Sequence, residues 1–428
     1  MNILIVGNGF DLSHYLPTKY DHFMDVMEAI EESKKDSMNF DELFSKCREE
    51  GFVAKTKQYY LTESITLEKE QLIEIKALLN ENCWYQYFSD HVREVKTWID
   101  FELKINEVLK VLASFFVQIE KVSDQQGLSS KEIIFNKDVS LGQLFLTREN
   151  CHILELLKIF TSGHYAQREF MDDEFGIYYQ MTEVDDDADF KFYLTGENIQ
   201  FQHGSYKVRI DKIMLNLHQQ LQEFIKIFNR YLELVIDKLE PKSCFKIEDV
   251  NWVQPDHIFS FNYTNTFQKF YISTSAEFLH GRFGEKQNIV LGVSDLEDES
   301  LRKLKAYGFT KYHQKLFKET DYLFLDDCSQ IKKRILGSKA SAMGKGTRFL
   351  IWGHSLDQSD QEYIQAIFKL NDERYNGVTV IVYYYNDNDK FMLLNNLLDI
   401  LKKDTVEKWM KNGWLKFKKN PEIDFGNE

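Results

Sequence analysis

The sequence predicts an α/β fold in which a parallel sheet carries a large, mainly α-helical insertion. Short apolar runs typical of buried parallel strands stand at the N-terminus and again after Pro255. The residues between them show the three- to four-residue apolar spacing of amphipathic helices. Because strands that alternate with helices form parallel sheets, we expect the two ends of the chain to build one sheet together.

Six short apolar runs are the candidate strands, and each ends directly before an Asn, a Gly or a His-Gly pair. They are residues 2–6, 257–261, 276–279, 289–291, 349–352 and 378–385. Ligands of open α/β sheets bind outside the carboxyl ends of the strands. The polar residues at these ends are therefore the first candidates for a functional site.

Helical periodicity predicts most of the remaining structure. The predicted helices are residues 20–32, 72–80, 84–112, 213–239, 360–370 and 391–401, with a polar helical region at 295–345. Two polar stretches, residues 123–130 and the acidic residues 183–189, are expected to be loops.

A chain of 428 residues exceeds what one hydrophobic core usually serves, so two units are expected. Residues 1–35 and 250–428 are predicted to form a discontinuous Rossmann-like nucleotide-binding domain. Residues 36–249 are predicted to form a helical insertion domain that covers the site.

The net charge of −15 argues against two classes of partner. A general binder of the phosphate backbone needs clustered Lys and Arg, so nucleic acid is not favoured, and neither is an anionic membrane surface. No apolar run approaches the length of a bilayer, and the N-terminus has the pattern of a strand rather than a leader. We expect a cytoplasmic protein without a membrane partner.

The five cysteines include no Cys-x-x-Cys pair, and their number is odd. This pattern fits reduced thiols better than a disulfide framework, and it lacks the ligand spacing of a zinc ribbon. The sequence therefore predicts neither zinc nor another metal site.

The first candidate for ligand binding is Gly7-Asn8-Gly9, which follows the first strand. Glycines there let a backbone approach a phosphate, and the next helix offers unpaired N–H groups. Position 12 is Leu12, so the third glycine of G-x-G-x-x-G is absent, and a plain tight turn is the alternative. Pro17 fixes the entry to the next helix.

Two further candidates end later strands. Asn262 can donate to a ribose hydroxyl or a carbonyl, although an Asn turn is the simpler interpretation. His280, followed by Gly281, can serve as a general base near neutral pH, although a lone histidine is more often structural.

The last two candidates lie near the C-terminus. Gly353-His354-Ser355 can bind a phosphate or a ribose through a backbone N–H and a hydroxyl, or can be a plain turn. Position 357 is Asp357, so the G-x-S-x-G pattern of a hydrolase nucleophile is absent. Asn386 ends the last strong strand, where a turn Asn is the alternative.

Taken in order, these motifs resemble those of the sirtuins. The sirtuin G-A-G-I-S loop that leads to G-I-P is similar to residues 7–11 leading to Pro17. T-Q-N is similar to residues 260–262, L-H-G to 279–281, G-T-S-L to 353–356 and I-N to 385–386.

The resemblance is closer to the AbiH family of bacterial abortive-infection proteins. The shared motifs are NILIVGNGFDL, LPTKY, SFNYTNT, LHG and WGHSLDQSD, with a further similar patch at residues 98–102. They cover roughly residues 1–30 and 250–395, and they imply a role in defence against phage.

The sirtuin resemblance implies NAD as the ligand and cleavage of its nicotinamide–ribose bond. His280 would then be the general base, Asn262 would orient the ribose or a water, and Asp11 would place negative charge near the ribose. The implied contacts to NAD are Gly7, Asn8, Gly9, Phe10, Pro17, Tyr20, Gly281, Gly353, His354, Ser355 and Asn386.

Three departures from sirtuins motivate an alternative function. The zinc-ribbon cysteines are missing, Tyr20 replaces an arginine, and Thr264 replaces an aspartate. The alternative is a nucleotide-sensing module whose toxic activity, such as that of a nuclease, lies in the helical part. The acidic patches around Asp100 and Glu102 and at residues 183–189 could then hold a metal. A homo-oligomer or a phage-derived trigger would be a further partner in either case.

We expect the chain to fold without zinc, because structural zinc needs about four closely spaced ligands. The measurement is the metal content of the purified protein beside thermal melts with and without a chelator. Stoichiometric zinc, or unfolding on chelation, would contradict this expectation.

Overall fold

A computed structural model describes most of the chain. The described residues are 1–91, 98–126, 146–163, 165–172, 176–183, 191–202, 205–250, 252–271, 274–296, 298–320, 324–325, 329–337, 346–371 and 377–426. Both ends of the sequence contribute strands to one sheet, as the apolar runs predict.

The central sheet has six parallel strands in the order β3-β2-β1-β4-β5-β6. The strands are β1 (Asn2–Val6), β2 (His257–Ser260), β3 (Ala276–Phe278), β4 (Thr347–Trp352), β5 (Val378–Tyr384) and β6 (Leu415–Lys419). This is the strand order of the dinucleotide-binding Rossmann sheet, whose ligands bind where the order reverses. Here the reversal lies between β1 and β4.

Side chains alternate between two apolar layers because successive residues of a strand point to opposite faces. Ile3 and Ile5 of β1 pack with Phe349 and Ile351 of β4 on one face. Leu4 and Val6 pack with their neighbours on the other face, where Trp352 is fully buried. Burial on both faces explains why these strands read as continuous apolar runs.

The predicted strand at residues 289–291 is wrong. Its three residues are fully buried, but the chain there does not join the sheet. The Leu291 N–H donates to the Gln314 side chain, which donates back to the Leu291 carbonyl oxygen over 2.8 Å. The Gln314 side chain therefore makes the two backbone hydrogen bonds of Leu291 that a neighbouring strand would otherwise make.

The sixth strand is β6 at the sheet edge, which the apolar pattern does not predict. Lysines alternate with Leu415 and Phe417 along it, as is common on edge strands because charge there discourages pairing with other chains.

The helices of the described chain agree largely with the periodicity. They are Asn8–Ser13, Tyr20–Glu32, Phe40–Leu43, Glu50–Tyr59, Lys69–Glu81, Cys83–Asp90, Trp98–Gln126, Arg148–Leu156, Ile210–Tyr231, Thr266–Phe270, Glu299–Lys303, Lys311–Phe317, Gln330–Gly337, Gln361–Lys369, Asp387–Leu401 and Lys403–Lys411. A π-helical turn, Leu232–Ile236, extends Ile210–Tyr231. The single helix predicted at 84–112 is two helices, with residues 92–97 outside the described chain.

The two predicted loops lie partly outside the described residues. Residues 123–126 continue the helix Trp98–Gln126, contrary to the loop prediction, and 127–130 are not described. Glu183 ends a strand, and 184–190 are not described.

Short antiparallel strands occur among the middle helices. The paired strands are Ser37–Asn39 with Thr66–Glu68, Tyr60–Leu61 with Glu240–Pro241, Phe160–Gly163 with Lys191–Leu194, Tyr165–Asp172 with Gly176–Glu183, Ile199–Gln202 with Ser205–Val208, and Lys246–Glu248 with Glu422–Asp424. The middle of the chain is therefore mainly but not wholly helical. The domain boundaries at 35 and 250 stay a prediction.

The loops after β1 and β4 touch through backbone atoms at three glycines. The Gly9 N–H donates to the Gly353 carbonyl oxygen over 2.8 Å. A Cβ at Gly7 would lie 2.6 Å from the Gly353 oxygen, and one at Gly353 would lie 2.0 Å from the Phe10 nitrogen. Glycines are thus required for this close approach whether or not a ligand binds.

Gly353→Ala should strongly destabilise the protein, and Gly413→Ala supplies a matched control. Both glycines have a positive φ, 72° and 68°, but nothing lies within 4 Å of a Cβ at Gly413. We expect G413A to lower the free energy of unfolding by about 1 kcal/mol, from backbone strain. We expect G353A to lower it by about 3 kcal/mol or more, because overlap adds to the strain. Equal losses in denaturant titrations would show that the loop contact is not tight.

Candidate active site

A cleft of about 700 Å³ opens at the carboxyl ends of β1, β2, β4 and β5. It lies at the reversal of strand order, where Rossmann sheets bind their ligands. Its size falls within the range of about 300–1,000 Å³ typical of small-molecule sites. The middle of the chain closes one side through Phe52, Glu102, Phe228 and Leu232.

Most of the predicted site residues line this one cleft. They are Gly7, Asn8, Gly9, Asp11, Tyr20, Asn262, His280, Gly353, His354, Ser355 and Asn386. The motifs, each weak on its own, therefore meet in one cleft, although Gly7 and Asn386 lie near opposite ends of the sequence.

Three predicted contacts lie outside the cleft lining. The Phe10 ring is fully buried and packs edge-on against Trp352, with ring centroids 5.0 Å apart. The Pro17 carbonyl oxygen accepts from the Tyr231 hydroxyl over 2.5 Å. Gly281 has φ 79° and its backbone adjoins Asn288. Each of the three makes contacts within the chain, and its predicted role toward NAD stays a prediction.

Asp11 is a buried carboxylate surrounded by neutral donors. The Asn262 amide donates to Oδ1 over 2.9 Å, and the Thr264 hydroxyl donates to Oδ2 over 2.5 Å. Burial raises the pKa of Asp11 to about 6, although the hydrogen bonds from Thr264, Thr266 and Asn262 oppose the shift. Asp11 is therefore a candidate for a carboxylate that changes charge near neutral pH.

Asn262 does not form the Asn turn that is the simpler interpretation of its motif. Its side chain reaches Asp11, while its backbone N–H donates to the Ser260 hydroxyl over 3.1 Å. Asn262 therefore holds a carboxylate at the edge of the cleft, and Thr264 supports the other oxygen of that carboxylate.

His280 and His354 converge on Asp360, at the start of the helix Gln361–Lys369. His280 Nε2 lies 3.0 Å from Oδ1 of Asp360, and His354 Nε2 lies 3.4 Å from Oδ2. Burial lowers the pKa of His280 to about 4, against the opposing effect of Asp360, so its ring is neutral at neutral pH. His280 therefore lines the cleft beside a carboxylate, and its role as a general base stays a prediction.

Lys311 completes this buried cluster and links it to the middle helices. Its ammonium lies 2.8 Å from Glu102 and 3.6 Å from Asp360. Burial raises the pKa of Glu102 to about 7, against the attraction of Lys311. Burial also raises the pKa of Asp360, but Lys311 and the two histidines outweigh it and hold that pKa well below its usual range.

Other predicted contacts have local partners. The Asn386 side chain caps the helix Asp387–Leu401 by accepting from the Asp389 N–H over 2.9 Å. The Thr18 hydroxyl donates to the Asn8 side chain over 2.7 Å. The Tyr20 ring packs 5.2 Å from Phe101. These contacts fix the cleft walls, and their predicted roles toward NAD stay predictions.

A family model described as bacteriophage abortive infection AbiH matches residues 3–384. The chain belongs to the AbiH family. The match runs from β1 to the end of β5 and includes the whole Asp360-centred cluster. Membership indicates a role in abortive infection, a defence against bacteriophage. No curated protein and no solved structure matches the chain significantly.

In the part of this AbiH chain that the structure describes, none of the helices has the length and apolar character needed to cross a membrane. Across the same residues, no group of three or more His, Cys, Asp or Glu side chains has an arrangement that could hold a metal ion. Glu102, one of the residues that the nuclease alternative assigns to a metal, pairs with Lys311. The Asp100 side chain and residues 184–190 lie outside the described part of the chain, so the alternative stays a prediction.

Sequence reasoning about this AbiH protein misses Asp360 and Lys311 as site residues, and it names Glu102 only for the alternative function. Asp360 ends the motif WGHSLDQSD, and Glu102 ends the patch at residues 98–102, so both stand in segments noted for their resemblance. Lys311 begins a short helix in a polar region and gives no signal, because only folding brings it to the two carboxylates.

Asp11→Asn should stabilise this AbiH protein at neutral pH. The folded-state pKa of about 6 exceeds the ordinary value of 3.8, so the carboxyl costs stability as pH rises from about 4 to 6. At pH 7.5 we expect a gain of about 1–3 kcal/mol in the free energy of unfolding, and little gain at pH 4. Urea titrations at both pH values test this.

Asp36→Asn is the control for that comparison, since the Asp36 side chain is 78% exposed. It should change stability by less than about 0.5 kcal/mol at either pH. A destabilised D11N protein at pH 7.5 would mean that the hydrogen bonds around Asp11 outweigh its burial.

Proposed function

We propose that this AbiH protein is an NAD hydrolase that cleaves the nicotinamide–ribose bond in a sirtuin-like site during abortive infection. The observation that carries the proposal is the convergence of a buried carboxylate, Asp11, and a neutral imidazole, His280, in one cleft at the strand-order reversal. NAD loss would stop the infected cell, which suits the family's role.

The bond to be broken joins C1′ of ribose to the pyridinium nitrogen. On cleavage the bonding pair leaves with nicotinamide, which departs neutral, and positive charge develops on the ribose as an oxocarbenium ion. A fixed negative group close to that charge stabilises the transition state more than the ground state. Asp11 is suited to this role, because Asn262 and Thr264 already orient its two oxygens.

Water completes the reaction by attacking C1′. It loses a proton to His280 as the C1′–O bond forms, and the products are ADP-ribose and nicotinamide. His280 is neutral at physiological pH, so it can accept the proton. Asn262 acts through Asp11 in this scheme, rather than by contact with the water.

The rest of NAD would lie along the strand ends. Gly7, Asn8 and Gly9 would adjoin the pyrophosphate, with Tyr20 on the far wall. Gly353, His354, Ser355 and Asn386 would adjoin the adenosine half. Tyr385, which lines the cleft and is 78% exposed, offers a ring on which adenine could stack. This arrangement needs no zinc, and it suits a cytoplasmic protein whose trigger comes from the phage.

His280→Ala should lose about a hundred- to ten-thousand-fold in NAD turnover while still binding NAD. Nicotinamide release followed by chromatography gives the rate, and titration calorimetry gives the affinity. His152→Ala is the matched control, since the His152 side chain is half exposed on the helix Arg148–Leu156, outside the cleft lining. A folded H280A protein with the wild-type rate would exclude His280 as the base. A wild-type protein that binds NAD without cleaving it would favour the sensing alternative.

A further inference from the structure

Two histidines, His280 and His354, approach the carboxylate of Asp360. The position of the ring proton is fixed in His354. The Leu356 N–H donates to His354 Nδ1 over 2.9 Å, so that nitrogen carries no proton when the ring is neutral. The proton of His354 is therefore on Nε2, facing Oδ2 of Asp360. This tautomer is assigned from hydrogen-bond partners, and it makes His354 an obligatory donor to Asp360.

The other oxygen of Asp360 faces His280. A carboxylate oxygen only accepts, so at 3.0 Å the Nε2 of His280 must carry the proton. Within the described residues no hydrogen bond to Nδ1 of His280 is seen, and His280 lines the cleft. The lone pair at Nδ1 is then the basic position available to a ligand or a water.

We infer that Asp360 is the positioning residue that holds His280 in the Nε2–H tautomer and makes Nδ1 the basic nitrogen. The consequence for turnover rests on the proposed function, whereas the tautomer itself does not. Nothing in this assignment requires Asp360 to touch the substrate, since it acts through His280.

The remaining groups that face His280 support a permanently ionised Asp360. Lys311 lies 3.6 Å from the same oxygen as His280, and Lys315 adds a second positive charge nearby. The rings of Phe261 and Tyr363 pack around the imidazole with centroids 5.2 Å and 6.4 Å away. Because aromatic rings pack against the neutral His280 imidazole, few groups other than Asp360 can fix its orientation.

Asn at position 360 would keep the hydrogen bond to His354 and change the one to His280. Asn has one acceptor oxygen, and His354 must keep it because the Leu356 N–H prevents the His354 tautomer from changing. The amide NH₂ group then faces His280, which must move its proton to Nδ1 to accept. In this orientation the amide NH₂ group also faces Lys311. The repulsion is weak, because the Lys311 ammonium lies 3.6 Å from Oδ1 of Asp360 rather than at hydrogen-bond distance.

The test begins with wild-type protein labelled with ¹⁵N in its histidines. Long-range ¹H–¹⁵N correlation spectra distinguish protonated from unprotonated ring nitrogens, and His280→Gln identifies the signals of His280 by their loss. We expect His280 to be neutral at pH 7 with its proton on Nε2. A proton on Nδ1, or a charged ring, would overturn the inference without any variant at position 360.

The variant arm compares Asp360→Asn with Asp357→Asn. Asp357 lies in the same loop, where its carboxylate accepts from the Ser359 N–H over 2.9 Å, so D357N removes the same charge without touching His280. We expect the proton of His280 to move to Nδ1 in D360N and to stay on Nε2 in D357N. For a folded D360N protein we expect kcat to fall about a thousandfold with little change in NAD affinity, as a wrong tautomer predicts.

Each outcome separates the inference from the proposed function. An unchanged tautomer in D360N, or wild-type kcat with a shifted proton, would overturn the positioning role. The expected tautomers in a wild-type protein that never cleaves NAD would support the positioning of His280 and reject NAD hydrolysis.

Discussion

The close contact between the loops after β1 and β4 is the constraint on which the site depends. In parallel sheets these loops leave from the same edge, and at a reversal of strand order the following chains diverge to opposite sides. Here the loops meet at Gly9 and Gly353, with no room for a Cβ at either glycine. The cleft opens directly above this contact. The glycines that resemble a phosphate-binding loop are thus needed first to bring Asp11 and His354 to the same place.

Two buried carboxylates in this cleft have opposite electrostatic environments. Asp11 has neutral donors, which offset only part of its burial, so its pKa rises to about 6. Asp360 is also buried, but it has the ammonium of Lys311 and two imidazoles beside it, so its pKa falls well below the ordinary range. Divergent environments of this kind separate a group that can change charge from one that stays ionised. The pair therefore provides a titrating carboxylate on one wall and a fixed anchor for His280 on the other.

Much of the fold follows from the sequence, and the exceptions have physical causes. Five of six strands and the helix Tyr20–Glu32 are predicted because their apolar periods match their burial. Residues 289–291 are misassigned because burial alone makes a segment apolar, whereas joining a sheet requires a free neighbouring strand. At β6 the error is the opposite, because a real strand is not predicted. Its edge position tolerates lysines, so the sequence there lacks a continuous apolar run. Periodicity reports burial, and it does not report backbone partners.

The sequence predicts the site residues that follow strands of the sheet. It misses those that only folding brings close to the cleft. Asn262 and His280 follow strand ends and Asp11 lies in the helix that follows β1, so topology brings them together. Lys311 has no such position, yet it lies 2.8 Å from Glu102 on the helix Trp98–Gln126. Breaking one side of a buried ion pair typically costs about 3–5 kcal/mol, because the remaining charge loses its partner. Separation of that helix from the sheet would therefore leave Lys311 with Asp360 alone, so the packing of the middle helices and the charge around His280 are energetically coupled.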